Sequence, residues 1–185
     1  MSRVPDDAAD AAPIHGPTRA LHWLLTVLVL TMLILGKVID EMEHRGAFEL
    51  LRNWHINIGL LVLALGTARA WARIRHGFPA PVVSLTGVER LVARLVQWTL
   101  ILCTLLMPIS GLVMAVARRI PVSLLGIELL PALPERIPWL GSAAAEVHEA
   151  TAILILICLA AHVGGALKHH LLDRDRVLSR MLSGR

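Results

Sequence analysis

Long apolar runs, separated by short charged or Pro/Gly-rich connections, set the pattern of this chain. Four of them reach the roughly 20 mainly apolar residues that a membrane helix needs. The first runs from about Ala20 to Ile39, with TRALHW at its mouth, and the second from about Trp54 to Arg73, opening on WHINIG. The third spans about Val88 to Ala117 and the fourth about Ala143 to Leu172. The pattern predicts an all-α transmembrane four-helix bundle over residues 18–176, with a flexible lead-in at 1–17 and a short basic tail at 177–185.

The connections fit this division. The segment after the first run (KVIDEMEHRGAFELLRN) is charged and of mixed sign, and the Pro/Gly-rich stretch that follows the second must stop its helix before Pro79. Pro108, followed by Ser110 and Gly111, predicts a bend in helix 3. The apolar stretch RRIPVSLLGIELLPALPERIPWLGS holds four prolines and cannot be a straight span, so an interfacial or partly re-entrant cap over one end of the bundle is expected.

Composition narrows the class. With 56% hydrophobic residues and a mean hydropathy of +0.66, the 185-residue chain is too apolar for a soluble domain, and one bundle uses up most of it. Asp6, Asp7 and Asp10 precede the first run and no small-residue cleavage site follows it, so it reads as a retained helix. Cys103 and Cys158 lie inside apolar runs and read as packing. The net charge of +4 does not point to nucleic acid, because the basic residues cluster at the ends of the spans, where they set topology and meet lipid headgroups. With the N-terminus inside, twelve Lys and Arg fall inside and six outside (Lys37, Arg45, Arg52, Arg118, Arg119, Arg136), so both termini are expected to be cytoplasmic.

Histidines inside the spans carry the chemistry. His148 and His162 are fourteen residues apart in helix 4, a rise of about 21 Å that returns them to nearly the same face. Ionisable groups in a bilayer are costly and point to function. With this topology His22 lies near the inner end and His55 near the outer end, which predicts two pairs: His55 with His148 outside, His22 with His162 inside. Two imidazoles per level, without a cysteine or carboxylate cluster, suit bis-histidine haem b better than structural zinc, giving two haems per chain. Both axial positions would then be filled, leaving outer-sphere, one-electron transfer and no covalent catalytic residue. Gly59 and Gly66 follow His55 at helical spacing and offer close approach for a flat ligand, unless they serve helix packing. Arg19, one turn before His22, Arg69, fourteen residues after His55, and Arg52, one turn before His55, are candidate partners for haem propionates or plain interfacial anchors. His169 lies too far from His148 to compete with His162, and with His170 it reads as a helix cap, a headgroup contact, or the lining of a quinone or proton site. His15, His44 and His76 read as solvated.

The motifs RALHW, WHINIGLLVL, ARAWAR, MPISGLVM, PVSLLG, VHEATA and AAHVGGALKHHLLDRDRVLSRML together resemble the prokaryotic cytochrome b561 family over nearly the whole chain after residue 17. The resemblance implies a four-helix, two-haem protein of the bacterial inner membrane with ligands at His22, His55, His148 and His162. It also implies electron exchange with ubiquinone and, as in the family's superoxide oxidase, oxidation of superoxide at the outer face. The runner-up is a haem b subunit relaying electrons to quinone for a partner oxidoreductase; a haem-free transporter or scaffold would be colourless. The chain departs from the family where Ile56 and Asn57 replace a lysine and a serine after His55, and where Leu124 and Leu125 replace aromatics. The lost cation weakens the handling of an anion beside the outer haem.

Overall fold

The computed structural model describes residues 14–42, 46–78 and 85–183. Four long helices, each long and apolar enough to cross a membrane, follow one another: α1 (Gly16–Glu41), α2 (Phe48–His76), α3 (Gly87–Ala117) and α4 (Pro138–Leu171). All but α3 overshoot their apolar runs by several residues at one or both ends, since an apolar run marks only the lipid-facing part of a helix and the backbone hydrogen bonds continue into the polar interface. Local signals set the ends. Pro17 and Pro138 sit in the first turns of α1 and α4, where a missing N–H costs nothing. Thr86 caps α3 through a reciprocal box with Glu89, and Gly77 closes α2 at φ 69°. Pro108 lies within α3.

The segment between α3 and α4, expected as an interfacial or partly re-entrant cap, is built of strands and turns. It forms a short antiparallel hairpin, β1 (Val122–Leu124) and β2 (Ile127–Leu130), turning through Leu125 and Gly126 at φ 50° and 88°. Two successive positive φ values make the tight turn whose twist suits a hairpin. Val122 is fully buried beneath it and β1 packs on α2 and α3, so the cap sits on one end of the bundle, the hairpin end.

At the opposite, terminal end the expected tail is structured: α5 (Val177–Ser183) folds back beneath the bundle. Trp23 Nε1 donates to Met181 O at 2.9 Å and Arg19 Nη2 to Leu182 O at 3.1 Å. The backbone N–H groups of Asp173 and Asp175 donate to Lys168 O and His169 O and hold the return loop to α4, which brings both carboxylates within 3.0 Å of His169 Nδ1. Lys168 ties the same loop to α3, reaching both Asp173 and Glu89 at 2.9 Å.

The packing is that of a membrane protein. Large apolar side chains such as Val27, Ile34, Leu102 and Ile157 are exposed, whereas Gly59, Gly66, Cys103, Ser110, Ala115, Thr151 and Cys158 are buried. Neighbours in sequence are neighbours in space, with the α3–α4 seam the most extensive. No such seam joins α4 to α1 or α2; there the approach is made by imidazoles.

Candidate cofactor site: two histidine pairs across the bundle

The sequence pairing of the four histidines is the pairing the fold produces. His22 of α1 and His162 of α4 have ring centroids 6.2 Å apart, and so do His55 of α2 and His148 of α4. The rings are inclined at 70° and 57°, so neither pair is stacked. With a metal–imidazole bond of about 2.0 Å and about 1.1 Å from ring nitrogen to ring centre, two imidazoles on opposite sides of one metal have centroids about 6 Å apart. Both pairs meet that spacing. Along the unbroken α4 the two levels are separated by a rise of about 21 Å.

Three of the four rings differ in what faces Nδ1. His148 Nδ1 is 3.0 Å from Met107 O and 3.0 Å from Ser110 Oγ, both on α3. His22 Nδ1 is 3.1 Å from Arg69 Nη2, and His55 Nδ1 is buried with no hydrogen-bond partner. Close backbone approach comes from glycines other than those singled out by spacing. A Cβ on Gly36 would stand 3.4 Å from His55 Cε1, and one on Gly111 3.3 Å from His148 Cε1. Gly66 instead faces Thr104 and Leu105 of α3, and Gly59 faces Met32 of α1. No count from His55 reveals Gly36 or Gly111, because they lie on other helices; the MPISG run was the legible signal for the second.

The three arginines differ in what they do. Arg69 lies beside His22, as its helical position relative to His55 requires. Arg73, one turn further on, donates to Gly77 O and lies over the Phe78 ring, adding a second cation at that level. Arg52 is engaged by Glu49 through both terminal nitrogens, and Arg19 holds α5; each retains a buried Nε without a partner. Among the cations expected on the outside, Lys37 pairs with Asp40 and Glu41, and Arg119 donates to Leu133 O. His44 and Arg45 lie outside the described residues. The two departures from the family motif meet each other: Leu125 N–H donates to Asn57 Oδ1 at 2.8 Å, fastening the hairpin turn to α2.

Comparison with known proteins agrees with this architecture. A family described as "Prokaryotic cytochrome b561" matches residues 14–184. The chain is 29% identical over 164 residues to "Cytochrome b561 homolog 2" of Escherichia coli (strain K12), covering 88% of this chain and 87% of that one. It is 27% identical over 172 residues to "Cytochrome b561 homolog 1" of the same organism, covering 89% and 94% respectively. The matched span contains every helix and all four paired histidines, and the chain belongs to the prokaryotic cytochrome b561 family of membrane b-type, haem b-binding cytochromes of electron transfer.

Proposed function

We propose that this protein is a di-haem b cytochrome in which His22 with His162, and His55 with His148, each hold one haem, and that it passes single electrons between a donor outside the membrane and ubiquinone. The observation that carries this reading is the pair of equal 6.2 Å imidazole spacings at two depths of the bundle. Haem held by these imidazoles would supply reversible one-electron chemistry there. The residues do the rest. Helices α1, α2 and α4 fix the spacing, while Gly36 and Gly111 leave room beside two of the rings.

Arg69 takes part through a change of partner. A guanidinium only donates, so its contact with His22 Nδ1 makes that nitrogen the acceptor and leaves the ring proton on Nε2. Were His22 to offer Nε2 to a metal, its proton would sit on Nδ1 facing Arg69 donor to donor, and Arg69 would be released to hold an anionic group such as a haem carboxylate. Arg73, which donates from Nη1 to Gly77 O, lies one turn further on; Arg52 has both terminal nitrogens on Glu49, and Arg19 commits Nη2 to Leu182 O.

With both termini cytoplasmic, the hairpin end faces outward. Superoxide is the donor the family resemblance implies: two superoxide anions, one quinone and two protons give two dioxygen molecules and one quinol. A second reading, a haem subunit receiving electrons from a partner oxidoreductase, gains support from the local pairing of Lys37 and Arg52, which weakens an anion-collecting surface. The reduced-minus-oxidised spectrum, with haem counted per chain, tests the core proposal: two haems are expected in the wild type and one after either His55→Ala or His22→Ala. A colourless preparation refutes it. Superoxide-dependent ubiquinone reduction by the isolated protein separates the two donors, since the relay reading expects none without its partner.

A further inference from the structure

The stretch Met107–Gly111 of α3 supplies no imidazole to either pair, yet it meets the His148 ring with two oxygens and a glycine. Ser110 is buried, and its hydroxyl donates to Met107 O at 2.8 Å, which spends its single proton. Its oxygen is therefore left to accept from His148 Nδ1, 3.0 Å away. Met107 O, also 3.0 Å from Nδ1, can do nothing but accept. Two acceptors on one ring nitrogen determine the tautomer: the proton is on Nδ1 and the lone pair is on Nε2. Gly111 completes the cradle, since a Cβ there would press on the ring at 3.3 Å.

Neither His55 nor His22 is held in this way. His55 Nδ1 has no partner, and His22 Nδ1 faces a donor, with Arg73 contributing a second cation near the inner pair. We infer that Ser110 and Met107 are positioning residues that hold His148 as a strongly electron-donating imidazole and so give the outer haem the lower midpoint potential of the two. The inference rests on reading His148 as an axial ligand. Acceptors on the N–H of a ligating imidazole raise its basicity and stabilise the oxidised metal, whereas guanidinium charge beside the inner site stabilises the reduced one. An electron entering at the hairpin end then runs downhill toward the terminal end, which gives the transfer a direction.

The test is a redox titration of the purified two-haem protein, with the components assigned by loss of one haem in His148→Ala and of the other in His22→Ala. The expected result is that the lower-potential component belongs to His148, that Ser110→Ala moves it upward without moving the other, and that Ser110→Thr, which keeps an oxygen acceptor, restores it. An unchanged pair of potentials in Ser110→Ala, or a shift confined to the inner haem, overturns the inference while leaving the haem assignment intact. Retention of both haems by His148→Ala overturns the ligand assignment and this inference with it. Should Ser110→Ala not fold, wild-type protein labelled with 15N in histidine gives the answer in the reduced, diamagnetic state. The Nδ1 proton of His148 is expected well downfield of that of His55, and equal positions overturn the inference.

Discussion

Gly66→Ala tests whether the buried glycine of α2 serves helix packing or cofactor access. A methyl group there would stand 3.0 Å from Thr104 Cγ2 and 3.3 Å from Leu105 Cδ2. Thr104 cannot swing aside freely, because its hydroxyl donates to Leu100 O at 2.6 Å and pins the rotamer. Overpacking of this kind costs about 1–3 kcal/mol, and replacing glycine by alanine in a helix returns up to about 1 kcal/mol. The net expectation is a loss of about 1 kcal/mol. The companion change is Thr104→Ser, which removes the obstructing methyl and keeps the hydroxyl. In the double variant the two substitutions should be coupled favourably by about 1–2 kcal/mol, as expected for residues in contact. Unfolding of the detergent-solubilised protein by heat or by titrated dodecyl sulfate, followed by circular dichroism, measures both quantities, and the visible spectrum serves as the control. A Gly66→Ala protein as stable as wild type with no coupling to Thr104→Ser refutes the packing argument. An intact fold with altered haem bands would return Gly66 to the cofactor.

Other substitutions separate the two levels of the bundle. On the proposed di-haem reading, Gly111→Ala should press on the His148 ring and lower the haem content from two per chain toward one; Gly36→Ala should do the same more mildly through His55, the added carbon lying at 3.4 Å from its ring. Trp23→Phe keeps an aromatic ring but deletes the indole N–H and its hydrogen bond to Met181 O, which alone costs about 1 kcal/mol. Limited proteolysis should then cut within residues 172–183 sooner than in wild type, and equal cutting rates count against α5 as a docked floor. Asn57→Ala removes the acceptor that holds Leu125, a non-glycine residue at φ 50°. A cysteine placed at Glu128 should become more reactive to a water-soluble maleimide in that background, and an unaltered rate would mean that the strand pairing alone holds the hairpin.

The four spans were legible because apolar runs of this length have one solution in a bilayer, and the histidine pairing followed from span polarity and helical rise alone. What escaped the sequence depended on contacts between segments distant along the chain. Leu125 and Gly126 look like part of an apolar, proline-rich stretch, and only their pairing geometry reveals a hairpin. Residues 177–185 look like a solvated basic tail because their partners, Trp23 and Arg19, lie more than 150 positions earlier. The arginines were the hardest to read. Helical spacing places Arg69 at the right height, but whether a guanidinium is free or already taken, as Arg52 is by Glu49, depends on its rotamer and its neighbours. His169 shows the same limit: its competition for the inner site was settled by distance, yet its role came from two aspartates beyond the helix end.

One partner of each histidine pair lies on α4, the last of the long helices to be made. During synthesis the nascent chain therefore carries His22 and His55 without their partners until α4 is made, and the two imidazole pairs are completed by the same helix. On the proposed reading, a chain that terminates before α4 would lack one imidazole of each pair and would bind haem at neither depth.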